Sequence, residues 1–427
     1  MSYNILDFGA KNDGVTNNAT AIQAAIDCCH QNGGGMVLVP SGQFLTGTIW
    51  LKSHVELHLS HGAVLLASGN MQDYNAVDAY PQNFSYPEEE WVGKHLIIAL
   101  GCENVAITGS GIIDGSGHLF YDKPEKHWRF LWADGLSLSK DKQALRPGQL
   151  ICFVECTHVR VQDFRIQNAT CWCCFFHGCD YVQVRGVRIF NDSTYANTDG
   201  IDIDCCRFVT VSDCIIDTGD DAIAIRGNAR PLNRKDLPCA HITVTNCVLG
   251  SSSSAFRIGV GDQKIEHLRI SNITVTRAAT AFNLLTNYFP QCYTPLSNIT
   301  FSNISLTNVG RAFEMAASAE GPIIHITFEN ISCECFAGAW ITSYGGKHIR
   351  ALHLENFRIA VKDCGELSAS EAQERGTCVL RVGGITDSTL NSVRIDGCED
   401  THIPWDNAFV ATDCDLSCER CHFPTLS

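Results

Sequence analysis

The chain has 427 residues, 45% of them hydrophobic, with 46 acidic against 31 basic side chains and a formal charge of −15. That balance argues against nucleic acid or an anionic membrane surface as a partner, and no run of about 18 apolar residues is present to span a bilayer. The 23 cysteines, clustered as in Cys28-Cys29, Cys171-Trp172-Cys173-Cys174, Cys205-Cys206 and Cys333-Glu334-Cys335, are expected to be reduced thiols acting as small hydrophobes.

The opening Met1-Ser2-Tyr3-Asn4-Ile5-Leu6-Asp7 has neither a basic region nor an apolar one, so no secretory signal is visible and a cytoplasmic location is expected. Ile22, Ala25, Ile26 and Cys29 recur at helical spacing, with Asn17 or Asn18 as the N-cap and Gly33 as the stop. This predicts a short helix over about 17–32 that covers the open end of a solenoid, where a bare edge would invite aggregation. Two stretches, about 70–97 and 117–148, break the rhythm of the chain and carry Trp91, His95, Trp128, Arg129, Trp132 and Lys140. Long insertions on a regular scaffold are often functional loops. Cleft walls are the favoured use, with solvent-facing elaboration or an oligomer contact as the alternative.

From about residue 100 a polar residue followed by alternating β-branched or aromatic residues, and then a second short strand, recurs. It begins at His158, Tyr181, Phe208, His241, His267, Asn298, His325 and His348, at intervals of 23 to 33 residues. Repeats of this length without intervening helices predict an all-β, single-domain parallel β-helix over 1–427. A β-sandwich is the alternative, but its hairpin turn signals are largely missing. In a second register a small residue precedes a bulky one: Gly200-Ile201, Ala222-Ile223, Ala255-Phe256, Ala281-Phe282, Ala312-Phe313 and, as the weakest instance, Ala339-Trp340. Since side chains alternate faces along a strand, the bulky residues should stack inward. Asp202, Ala224, Arg257, Asn283 and Glu314 should then face outward.

Two acidic motifs, Asn197-Thr198-Asp199-Gly200 and Gly219-Asp220-Asp221-Ala222, run straight into such strands, with Asp199 and Asp221 22 residues apart. One coil later the chain returns about 4.8 Å away, so Asp199, Asp220 and Asp221 should gather on one wall. Paired carboxylates suit glycoside hydrolysis, in which one protonates the leaving oxygen and another activates water or attacks the sugar. Cys418-Glu419-Arg420-Cys421-His422 has the haem-attachment spacing, but it lies at the end of a chain without a visible export signal. Cys171, Cys173 and Cys174 have no second ligand pair at zinc-ribbon spacing. No cofactor and no metal are therefore expected.

These residues resemble glycoside hydrolase family 28, the polygalacturonase-like right-handed parallel β-helix enzymes. The resemblance is carried by Asp7-Phe8-Gly9-Ala10-Lys11-Asn12-Asp13-Gly14, Gly42-Gln43-Phe44, Gly111-Ile112-Ile113-Asp114-Gly115, Arg146-Pro147 and, above all, 197–226. It implies inversion at the anomeric carbon, with Asp220 as general acid and Asp199 and Asp221 positioning the attacking water. The chain also departs from the family pattern. Ser254 stands where the family has a histidine, and Asn283-Leu284-Leu285 stands where an Arg-Ile-Lys motif grips galacturonate.

The candidate substrate-binding residues are His177, Asn197, Asp202, Arg226, Arg257, Asn283 and Tyr288. Arg257 or Arg311 could rebuild a carboxylate grip or remain a solvated arginine. Tyr195 and the Tyr288-Phe289 pair could be sugar platforms or packing aromatics. The expected partner is an oligosaccharide, cleaved by an exo-acting glycosidase with altered uronate recognition. A non-catalytic saccharide-binding β-helix and a lyase or epimerase with Arg257 as base are the alternatives. Oligomeric state is left open.

Overall fold

The computed structural model describes residues 1–76, 93–121 and 146–426, together with the backbone of the short strands Lys126–His127 and Gly135–Leu136. Trp91, Trp128, Arg129, Trp132 and Lys140 lie outside the described residues. The chain forms two compact units, one of Met1–Lys126, Gly135–Asp220 and Ala229–Leu237, the other of His127–Asp134, Asp221–Asn228 and Pro238–Ser427. Each is a stack of parallel strands.

In the first unit the helix Ala19–Gln31 buries Ile22, Ala25, Ile26 and Cys29, the apolar face of its 3.6-residue period. Asn17 takes the Ala19 amide, while the Asn18 side chain ties the preceding loop to Leu45. The helix ends at Asn32, and Gly33 follows with φ 88°. Beyond it, three columns of strands repeat. Ile97–Leu100, Ile151–Val154, Cys174–His177 and Ile201–Asp204 form one column, in register through Ile97, Ile151, Cys174 and Ile201. Glu103–Gly109, Thr157–Gln162, Asp180–Arg185 and Arg207–Ser212 form the second. Ile112–Asp114, Arg165–Gln167, Arg188–Phe190 and Ile215–Thr218 form the third.

The residues that mark the start of each repeat have a backbone reason to recur. His158, Tyr181 and Phe208 turn the corner with φ of 56°, 58° and 59°, a left-handed conformation that costs an L-residue about 1–2 kcal/mol. Their rings stack at 4.9 and 5.0 Å, and an aromatic pair returns about 0.5–1.5 kcal/mol beyond area burial. At another corner Cys156, Cys179 and Cys206 donate their thiols to the carbonyls of Ala99, Phe153 and Phe176 in the preceding coil. All 23 cysteines are free thiols, and most are buried.

In the second unit, Ile223–Gly227 pairs with Ser254–Gly261, which pairs with the end of the long bent strand Ile265–Leu285. Ile223, Phe256, Phe282 and Phe313 occupy one register column, and all four are fully buried. Alternation does place these large apolar residues inside, whereas Trp340 pairs in register with Glu314, so at Ala339-Trp340 the small residue faces in and the bulky one out. An asparagine ladder lines one corner: Asn272, Asn303, Asn330 and Asn356 adopt φ between 49° and 56°. Each donates its side-chain amide to the asparagine one coil earlier, at 3.5, 3.3, 3.2 and 2.9 Å, beginning from Asn246.

Phe282 stacks on Phe256 and Phe313 and meets Phe301 and Phe328 edge-on. Phe282→Ala leaves a cavity that this rigid stack cannot close, so the variant should lose about 3–5 kcal/mol in denaturant unfolding. A loss under about 1 kcal/mol would mean that the stack collapses around the gap.

Candidate active site

In the first unit the Asn-Thr-Asp motif is held from both sides. Arg146, fully buried, donates Nη2 to Asn197 Oδ1 at 2.9 Å and Nη1 to the Tyr121 hydroxyl at 2.8 Å. The Tyr121 ring lies flat on Tyr195, with centroids 4.0 Å apart, so Tyr195 uses one face for protein packing. Thr198 Oγ1 donates to the Tyr195 carbonyl at 2.7 Å and accepts from the Gly219 amide at 3.2 Å. Residue 219 must be glycine, because a Cβ there would stand 2.1 Å from the Tyr195 carbonyl oxygen.

These contacts fix the carboxylates. The Asn197 amide donates to Asp220 Oδ2 at 3.0 Å, and Thr218 Oγ1 donates to the Asp220 carbonyl at 2.7 Å. One oxygen of Asp199 and one of Asp220 lie within 4.8 Å of each other. Asp199 is 2% exposed, whereas Asp220 is half-buried. A substrate would therefore reach Asp220 first. Asp202, Asp204 and His177 are essentially buried, with His177 Nε2 3.8 Å from Asp204 Oδ2.

Asp221, joined to Asp220 by one peptide bond, opens the second unit. It is 2% exposed, accepts the Ser254 amide on Oδ1 at 2.9 Å, and is ion-paired by the Arg257 guanidinium, with Nε on Oδ2 and Nη2 on Oδ1. Burial pushes its carboxyl up, but the charge and hydrogen bonds of Arg257 outweigh burial and hold it below the usual carboxylate range. Asp221 is thus fixed as the anion. Arg257 also donates Nη2 to Ser254 Oγ at 3.3 Å and lies 5.3 Å from the centre of the Tyr288 ring. It is 8% exposed, not a solvated arginine.

Arg226 and Asn283 are also buried, at 4% and 3%, whereas Tyr288 is exposed. Asn283 Nδ2 donates to Glu314 Oε2 at 2.9 Å. Arg311 donates Nη2 to the Glu374 carbonyl at 2.9 Å. Arg146, Tyr121 and Glu314, which hydrogen-bond or stack against residues of the site, were not among the site residues expected from the sequence. Glu314 was available from the outward alternation, and Arg146 from its place in the family resemblance.

The family model described as glycosyl hydrolases family 28 matches residues 29–317. The chain belongs to glycosyl hydrolase family 28. A protein of Vitis vinifera named a probable polygalacturonase is 25% identical over 384 residues, 79% of this chain and 75% of that protein. An exo-poly-alpha-D-galacturonosidase of Dickeya chrysanthemi is 30% identical over 260 residues, 52% of this chain but only 41% of that protein. Among solved structures, the family 28 exopolygalacturonase of Yersinia enterocolitica superposes with a TM-score of 0.68 at 20% identity, over 97% of this chain and 78% of that one. Its likeness confirms the β-helix fold.

The Asp221–Arg257 pair has a definite pH signature. A depressed folded-state pKa contributes stability above the unfolded-state value of about 3.9, and that contribution is lost as pH falls through the folded-state value. Arg257→Met strands a buried carboxylate and should cost about 3–5 kcal/mol near pH 7. Near pH 3 the variant's Asp221 is protonated, so the deficit should shrink. Urea unfolding at both pH values measures it, and an equal deficit at the two would exclude an ionic origin.

Proposed function

We propose that this chain is an exo-acting glycosidase of small pectin-derived oligosaccharides, with Asp220 as general acid and Asp199 and Asp221 positioning the attacking water. The observation that carries this reading is the unequal treatment of consecutive carboxylates. Asp221 is buried and paired with a guanidinium that keeps it ionised, which suits a base and disqualifies a proton donor. Asp220 is half-buried beside Asp199 and can offer a proton to a leaving oxygen. Arg257 supplies a cation beside Ser254, where the family pattern has a histidine. The exo mode is supported by the activity in the Dickeya relative's name.

Engagement of Arg257 with Asp221 argues against a lyase, since a guanidinium held in an ion pair cannot take a proton from a sugar carbon. A retaining mechanism is the second reading, favoured by one observation. The Asp199–Asp220 approach, within 4.8 Å, is nearer the ~5–5.5 Å separation of a nucleophile and acid than the ~6.5–9.5 Å that leaves room for water. NMR of the first-formed product anomer decides between them: inversion is expected, and retention would make Asp199 or Asp221 the nucleophile.

Asp220→Asn should lower turnover by about 10²–10⁴-fold, the usual worth of acid–base catalysis, with little change in melting temperature. Retention of more than about a tenth of wild-type turnover would remove Asp220 from the acid role. The rate should follow a bell-shaped pH profile, because acid and base must be in opposite protonation states.

A further inference from the structure

The outward ladder of the second unit continues past the ion pair. Arg257 is in register with Asn283, Asn283 with Glu314, and Glu314 with Trp340. Strands are about 4.8 Å apart, so the four side chains form a strip roughly 14 Å long. Its chemistry is one-sided. Arg257 is neutralised by Asp221. Asn283 is 3% exposed and spends its amide NH₂ on Glu314, while its Oδ1 has no hydrogen-bond partner among the described residues. Glu314 is half-buried, with a second donor in Thr280 Oγ1 at 3.4 Å. Beside it, Glu374 is raised by burial and by the nearby Glu314 and Glu371 charges, against the lowering effect of Arg311. Arg311 itself is tied to the Glu374 carbonyl.

The parallel column two residues on is apolar or small, with Gly259, Leu285, Ala316 and Thr342 in register. Trp340 is half-exposed at the far end. Arg381, one strand beyond Trp340, is two strand spacings from Glu314.

Resting on the glycosidase reading above, we infer that Trp340 and Glu314, the latter held by Asn283, form a subsite for an uncharged sugar unit and reject a free uronate there. The half-buried Glu314 carboxylate demands donors, which sugar hydroxyls supply and a uronate carboxylate does not. Trp340 offers an aromatic face, and the Glu314 carboxylate repels an anion. Glu314 is the specificity-determining residue.

The test uses full-length Asp220→Asn protein, so that ligands stay intact, and titrates three disaccharides by calorimetry at pH 7. These are galacturonosyl-galacturonate, its methyl ester at the reducing-side unit, and galacturonosyl-rhamnose. The two ligands with a neutral reducing-side unit should bind at least about tenfold tighter than the diacid, equivalent to about 1.4 kcal/mol. Glu314→Gln should bring the ratio below about threefold, and Glu314→Lys should favour the diacid. Trp340→Ala, a second variant of independent folding risk, should weaken the neutral ligands and leave the weak diacid binding little changed. Equal or tighter binding of the diacid by the Glu314 protein, or a ranking untouched by both Glu314 variants, would overturn the inference. Hydrolysis of oligogalacturonate by the unmodified enzyme would in that case leave the glycosidase reading standing. Binding of none of the three would overturn the inference, and absence of hydrolysis across a wider saccharide panel would take the glycosidase reading with it.

Discussion

Within each unit, the position of every functional side chain depends on in-register hydrogen bonding between successive coils. The Leu150 amide donates to the Trp172 carbonyl and the Cys173 amide to the Asp199 carbonyl, while farther along the chain the Ala222 amide donates to the Ser254 carbonyl. Because the side-chain period is two, a slip of one residue would turn each acidic residue from one face to the other. Buried stacks make such a slip costly: Phe256, Phe282 and Phe313 would have to leave the interior together. The apolar ladder thus fixes the polar one. Chemistry on this fold is arranged in columns, with one residue contributed by each coil.

The polar columns are built around buried guanidinium groups. Arg146 organises Asn197 and the tyrosine pair, and Arg257 organises Asp221 and the serines that follow it. Planar, permanently charged and able to donate in a fork, arginine can hold two partners at fixed angles. Pairing of this kind contributes little net stability because both ions are desolvated, and its worth lies in geometry and in the fixed charge state of the carboxylate. The chain keeps the acidic motifs of family 28 while supplying the neighbouring positive charge from a different position.

The fold and the family were legible because both leave local marks. Alternation exposes the inward column from Ile201 to Phe313, and the Asn-Thr-Asp and Gly-Asp-Asp spacing equals one coil. The outward column was legible as a direction but not as an environment. Asp202, Arg257 and Asn283 do leave the strands on the face opposite the phenylalanines, yet they are buried, since burial depends on what later segments lay over them. Likewise the recurring His, Tyr, Phe and Asn at coil starts could be counted, but their left-handed backbone and mutual stacking arise only when coils are superposed. The asparagine ladder is the clearest omission. Its members fall at intervals of 26 to 31 residues, so no short window contains two of them.

The column of thiols carries a consequence for how this protein survives outside its native state. Hydrogen bonding with Cys156 and burial hold the Cys102 thiol well above its ordinary pKa, and burial does the same for Cys179. Thiolate, the species that oxidants attack, is therefore scarce while the coils are closed. Denaturation releases this protection at the buried majority of the 23 thiols at once. In air the unfolded chain has many wrong disulfides to choose from, and each blocks restacking. Recovery after heating thus hinges on the redox state of the solvent: reversible under a reductant, and a one-way loss without it.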